Sequence, residues 1–196
     1  NAPPLAAGMF TSQWLPSYFT QEWHLSYNQA LGDRLVLVYL AQDIGLWTGG
    51  WIAMRLAARM GSVLAARRTV IFTAYGLAMA VMAMPFVHSL PVAIALICTY
   101  VFALGCWNAN VGAFKQEVSA SRVATVAALV GFCELGFSAF VIDKVGGIVK
   151  ATGGFRAVFP LLGAFLTFSV LVVVFMYRPR YFPLTASRRP VAPKRV

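Results

Sequence analysis

The chain has 196 residues, of which 60% are hydrophobic and only 11% charged, and its mean hydropathy is +0.73. Soluble domains carry roughly 25% charged residues, so this composition excludes an ordinary water-soluble fold. The net charge of +10 would also suit a nucleic-acid-binding protein. The basic residues cluster between apolar runs and in the C-terminal tail, however, which is typical of a membrane protein, and we predict no nucleic-acid partner.

Six apolar segments predict helices, because a span of the bilayer needs about 20 mostly apolar residues. In chain order they are Pro4–Phe19, Leu35–Met54, Val70–Val87, Pro91–Val111, Val123–Ile142 and Val158–Tyr177. The first is short and interrupted by Pro16, which predicts a helix that begins before this chain. Because backbone groups in lipid must be satisfied within each segment, we predict an all-α membrane protein, a six-transmembrane-helix bundle over residues 1–177.

The basic residues predict the orientation, since lysine and arginine favour the cytoplasmic side. Two loops and the tail alternate onto one side and hold twelve of the sixteen: Arg55, Arg59, Arg67, Arg68, Lys115, Arg122, Arg178, Arg180, Arg188, Arg189, Lys194 and Arg195. The other side holds only Arg34, Lys144, Lys150 and Arg156. We therefore predict a multi-pass inner-membrane protein with a basic, disordered, cytoplasmic tail over residues 178–196.

Small residues in the second segment predict a close helix contact. Gly45 and Gly49 form a GxxxG spacing, followed by Gly50, and such positions let two helix backbones approach. Smooth, closely packed helices are also able to rock against each other. The three cysteines lie within apolar runs without CxxC spacing or a nearby histidine, so we predict no disulfide, metal site or cofactor.

Two acidic residues fall in the middle of apolar segments, where a charge costs roughly 2.5–3.5 kcal/mol to insert. Asp43 lies in the second segment, where Tyr39 and Trp47 share its face at i, i+4 spacing, and Glu134 lies in the fifth. Two interpretations stay open. The carboxylates either line a central cavity, where they bind a proton, a cation or a substrate hydroxyl, or they are structural acids that hydrogen-bond between helices.

The end of the fourth segment combines aromatic and amide side chains. Tyr100, Trp107 and Asn110 fall near one helix face, and Asn108 lies only partly on it. Aromatic rings cover the C–H face of a sugar while amides pair with its hydroxyls, so these residues are candidate substrate-binding groups. The alternative is that the amides bond between helices. Gln13 of the first segment completes the predicted substrate-binding set.

Four motifs in order resemble a known family. The segment 41–51, AQDIGLWTGGW, resembles the eighth helix of major facilitator superfamily transporters, in particular the anion:cation symporter branch that includes hexuronate transporters. The segment 14–18, WLPSY, resembles that branch's W-L-P-x-Y near the outer end of helix seven. The segments 129–132 and 151–159 resemble its helix eleven and the turn into helix twelve. The resemblance covers roughly residues 9–178.

The resemblance implies that this chain supplies helices seven to twelve of a twelve-helix fold, with a substrate between two six-helix halves. It implies proton-coupled uptake of a small anionic substrate, a hexuronate or related sugar acid, with a missing N-terminal half as partner. It also implies a cytoplasmic gating loop, which here holds Arg55 and Arg59. The chain departs from the family where Met54 stands in place of the loop's acid and Glu134 in place of a small residue.

The same sequence also bears on whether the chain is an intramembrane enzyme. A rhomboid-type serine protease would need a G-x-S-x-G serine and a membrane histidine, but Ser138 lies in GFSAF and both histidines fall in loops. We therefore predict no enzyme activity. Two alternatives stay open: a non-transporting membrane sensor or scaffold on the same fold, and a homodimer of two six-helix copies.

Overall fold

The computed structural model describes residues 2–118 and 123–176, and within them the chain is all-helical. Six α-helices are formed: α1 (Ala2–Glu22), α2 (Gln29–Met60), α3 (Val63–Ala78), α4 (Leu90–Val118), α5 (Val123–Thr152) and α6 (Val158–Met176). A 3₁₀ helix, Met79–Phe86, follows α3 directly. The predicted tail and Arg122 lie outside the described residues.

Three of these helical stretches are long and apolar enough to cross a membrane: Gln29–Met60, Val63–Phe86 and Leu90–Ala113. A shorter apolar helix covers Val158–Val172. The prediction of an all-helical chain with membrane-length apolar segments is confirmed for the three long stretches. The remaining three predicted spans stay predictions.

Polar capping residues set the ends of α2 and α3. The Asn28 side chain accepts a hydrogen bond from Leu31 N at 3.2 Å, and Gly61 ends α2 in the left-handed region with φ 64°. The next residue, Ser62, caps α3 by accepting from Ala65 N at 3.3 Å. These caps satisfy backbone groups that a helix end leaves free, so α2 extends six residues beyond the predicted segment at each end.

Helix α5 extends beyond the predicted segment, which ended at Ile142, and includes the polar residues Asp143 and Lys144. The helix continues through Asp143 and Lys144 to Thr152, where Gly153 follows with φ 73°. The flexible Lys144 side chain brings its Nζ within 3.3 Å of Asp143 Oδ2 in an exposed pair, so both charges stay at the surface without breaking the helix.

Helix α4 lies at the centre of the bundle. It packs on α1, α2, α3 and α5 and on the 3₁₀ helix, and its tightest neighbour is α2. Helix α1 packs mainly on α5 and α6. Across the described residues, α2 and α5 do not contact each other. The two helices that carry the mid-segment acids are therefore held apart.

Large apolar side chains cover much of the outer surface. Trp47 of α2 is 81% exposed and Phe132 of α5 is 79% exposed, and further exposed apolar residues line both helices and α6. Monomeric soluble proteins rarely expose contiguous apolar patches larger than a few hundred Å². This surface fits the apolar composition of the spans, since lipid solvates such side chains and water does not.

Candidate functional site

The crossing of α2 and α4 is made by glycines from both helices. A Cβ at Gly45 would overlap the carbonyl of Phe102, and one at Gly49 would stand 2.5 Å from Cys106 Cα. From the other side, a Cβ at Gly105 would overlap the Gln42 carbonyl. These contacts confirm the prediction that the GxxxG spacing brings two backbones together. Gly50 has open space beside it and takes no part.

Asn110 joins the same two helices. Its side-chain Nδ2 donates to Gly49 O at 3.2 Å and to Cys106 O at 2.8 Å, and the residue is buried. Thr48 of α2 adds a weak contact to Cys106 Sγ at 3.9 Å. A buried amide whose donors are satisfied across a helix pair stabilises that pair. At Asn110 the observed bonds therefore favour the interhelical interpretation over substrate binding.

The other predicted substrate-binding residues occupy different environments. Tyr100 and Trp107 lie within the core with 2% of their surface exposed, so neither presents a ring to an open surface in this conformation. Asn108 is half-buried on α4, ten residues before the helix ends at Val118, and Gln13 is exposed on α1. The set is thus divided between the core and the surface and does not form one lined cavity in the described part of the chain.

The two mid-helix acids lie on separate helices. Asp43 shares a face of α2 with Tyr39 and Trp47, as their spacing predicted, and in the structure this face is exposed. Glu134 is only 6% exposed and lies on the buried stripe of α5 together with Ser138 and Val141. The Ser138 hydroxyl donates to the backbone carbonyl of Glu134 at 2.7 Å. Helix α1 is the main neighbour of α5.

The predicted gating arginines lie near the end of α2. The Arg55 guanidinium lies 4.6 Å from the centroid of the Trp51 ring, and Arg59 is exposed. Met54 beside them is also exposed. No described acid pairs with Arg55 or Arg59, and the contact found for Arg55 is with the Trp51 ring.

Sequence reasoning missed a cluster at the opposite end of the bundle. Five aromatic side chains pack there, with ring centroids 5.3–6.4 Å apart and mostly edge-to-face: Phe10, Trp14, Tyr18, Phe155 and Phe159. Edge-to-face pairs add roughly 0.5–1.5 kcal/mol each beyond burial. The cluster joins α1 to the turn before α6. The only sequence signal was that WLPSY and GGF both place aromatic residues at segment ends.

Glu22 anchors this turn at the end of α1. Its Oε1 accepts a hydrogen bond from Phe155 N at 2.8 Å, and a Cβ at Gly154 would stand 2.7 Å from the same oxygen. A Cβ at position 154 would therefore push the flexible Glu22 carboxylate away from its present position beside Phe155 N. The bond connects residues 133 positions apart in the chain and fixes where α6 begins relative to α1.

We expect Glu22→Ala to lower the free energy of unfolding by about 1–3 kcal/mol, because it leaves the Phe155 N–H without its acceptor. Glu22→Gln keeps an acceptor oxygen and should cost less. The thermal unfolding midpoint in detergent measures both. Asp33→Ala is the matched control, since Asp33 is an exposed acid without a hydrogen bond or ion pair to a described residue. Equal midpoints for Glu22→Ala and Asp33→Ala would contradict the anchoring role.

The described residues contain no group of three or more histidine, cysteine, aspartate or glutamate side chains that could hold a metal ion. The helices define the class of protein: it is all-helical in the described residues, with at least three helices of membrane-spanning length and composition. No protein-family model and no curated protein matches the chain.

Proposed function

We propose that this chain is a six-helix half of a secondary active transporter, in which a small organic anion crosses the membrane together with a proton by alternating access. The substrate class proposed is a hexuronate or related sugar acid. Two observations support the proposal. One is the all-helical architecture with helices of membrane-spanning length, and the other is the resemblance of four sequence motifs to one transporter family. In that resemblance α1 to α6 correspond to helices seven to twelve, and a second six-helix half completes the substrate site.

The observation that carries this proposal is the exposed position of Asp43 near the middle of α2. It lies about 21 Å along the 32-residue α2, near the middle of the spanning segment, and it is exposed. A carboxylate that faced lipid at this depth would cost roughly 2.5–3.5 kcal/mol on insertion scales. The α2 face that holds it must therefore meet either a water-filled cavity or polar groups of other helices. A transport pathway between two six-helix halves provides both.

The distribution of charge supports the same arrangement. Arg55 and Arg59 close α2 and Arg67 and Arg68 open α3, so the α2–α3 turn concentrates positive charge at one end of the bundle. In the predicted topology the opposite side, where Glu22 meets Phe155, holds four of the sixteen basic residues, and the arginine-rich side holds the other twelve. By the positive-inside rule, the arginine-rich end is the cytoplasmic end in this proposal.

The test is uptake by the full-length gene product reconstituted in liposomes. We expect labelled D-glucuronate to accumulate when the vesicle interior is more alkaline than the exterior, and to stop accumulating when a protonophore collapses the gradient. Liposomes without protein give the background. Binding of D-glucuronate without accumulation would favour the sensor alternative, and absence of both would remove sugar acids as the substrate class.

A further inference from the structure

A cavity of about 220 Å³ opens at the end of the bundle opposite the arginine-rich turn. It lies between the end of α1, the segment before α4 and the start of α6, next to the aromatic cluster. Its polar lining comes from Tyr18, Glu22, Trp23, His88 and Arg156. The volume equals that of about seven water molecules at roughly 30 Å³ each, which is room for a small polar solute.

Several polar groups around this cavity retain unused hydrogen-bonding capacity. Trp23 Nε1 donates to the Tyr18 hydroxyl at 2.9 Å, so the oxygen accepts that bond while the Tyr18 proton is left to donate. Glu22 uses Oε1 for Phe155 N and has no described partner for its second oxygen. Neither Arg156 nor His88 makes a hydrogen bond or ion pair to any described residue.

The cavity is lined by an acidic and a basic side chain that do not form an ion pair with each other. Glu22 and Arg156 both line it, yet no ion pair within 4.0 Å links them among the described residues. A bridging solute could therefore contact both. A guanidinium binds a carboxylate through two parallel N–H···O bonds, while a carboxylate oxygen and a phenol pair with hydroxyls. The Trp23 and Phe159 rings supply apolar surface for C–H groups.

We infer that this cavity is an outer capture site for a small hydroxylated carboxylate, with Arg156 binding its carboxylate and Glu22 and Tyr18 binding its hydroxyls. The inference rests on the proposed transport function and names a second place where the substrate binds. It differs from the mid-membrane acids in location, because it is formed by the ends of the helices. The capture site raises the local concentration of substrate before the substrate enters the pathway.

Kinetics with Arg156→Gln test the capture site. In liposome uptake of D-glucuronate we expect KM to rise about tenfold, the factor for loss of one charge-assisted interaction, with the maximal rate retained. Lys150→Gln is the matched control. It removes one exposed cation at the same end of the bundle, and Lys150 does not line the cavity. If wild type takes up D-glucuronate and the two variants have the same KM, the capture-site inference is overturned. The transport proposal then still stands.

Binding measurements separate the two proposals if wild type shows no uptake. Calorimetric titration of D-glucuronate into the full chain in lipid nanodiscs should show binding that Arg156→Gln weakens about tenfold and Lys150→Gln does not. An excess of D-glucose, which lacks the carboxylate, should leave this binding unchanged. Absence of binding to wild type, or equal competition by D-glucose, overturns the capture site.

Discussion

Alanine at position 49 is expected to destabilise the protein, whereas alanine at position 50 is expected to stabilise it. At Gly49 the added Cβ would stand 2.5 Å from Cys106 Cα and 2.9 Å from its Cβ. These atoms belong to the α4 backbone and its first side-chain carbon, so the clash is relieved only when the helices separate. Overpacking of this kind costs about 1–3 kcal/mol.

Separation of the helices at Gly49 would also weaken a hydrogen bond. The Gly49 carbonyl accepts from Asn110 Nδ2 at 3.2 Å, and stretching this bond leaves a buried amide less well satisfied. The loss adds to the steric cost and raises the expected effect towards the upper end of that range. Gly45→Ala and Gly105→Ala should act in the same direction, because both meet backbone atoms of the facing helix.

Gly50 provides the matched control because it adjoins Gly49 on the same helix and has no atom within 4 Å of an added Cβ. There alanine only restricts the unfolded chain and improves helix propensity, a gain of about 0.5–1 kcal/mol. Thermal unfolding of both variants in one detergent should therefore give shifts of opposite sign. Shifts of the same sign and size would mean that the α2–α4 contact is not as close as described.

The apolar pattern of the sequence predicted the helices better than their ends. Runs such as 35–54 identify the part of a helix that excludes water, but α2 begins after Asn28 and ends at Gly61, both outside that run. The polar residues between the run and its caps still form helix, because capping satisfies their backbone groups. The continuation of α5 past Asp143 has the same origin.

Contacts between residues far apart in the chain could not be predicted from the sequence. The GxxxG spacing predicted that α2 would meet a partner closely, but not that Gly105 and Cys106 of α4 would form the other surface. The bond from Phe155 N to Glu22 joins opposite parts of the chain, and no local pattern marks it. Asp43 was predicted to share a face with Tyr39 and Trp47, since helix geometry alone fixes which residues share a face.

Glu134→Gln is expected to abolish uphill accumulation of D-glucuronate while retaining exchange of labelled for unlabelled substrate. Glu134 is buried on α5 in one stripe with Ser138 and Val141, and α1 is the main neighbour of that helix. An amide of nearly the same shape fills that position but cannot bind and release a proton. The variant therefore loses the link between the proton gradient and substrate movement, but exchange, which needs no net proton movement, continues. Uptake driven by a pH gradient and exchange without one are the two measurements.

Asp143→Asn is the control, because it removes an acid from the same helix at an exposed site where the pair with Lys144 contributes about 0–1 kcal/mol. It should accumulate substrate like wild type. An unchanged rate and unchanged pH dependence in Glu134→Gln would remove Glu134 from the coupling mechanism.

The unfolding midpoint of Glu134→Gln separates coupling from structure. A residue that serves only to hold α5 against α1 would lower accumulation, exchange and the midpoint together when it is replaced. A residue that carries the proton would lower accumulation alone, since glutamine preserves the shape of the side chain and its acceptor oxygen. Under the proposed proton-coupled transport the expected result is the second, because Glu134 lies about 17 Å along the 30-residue α5, near the middle of that helix.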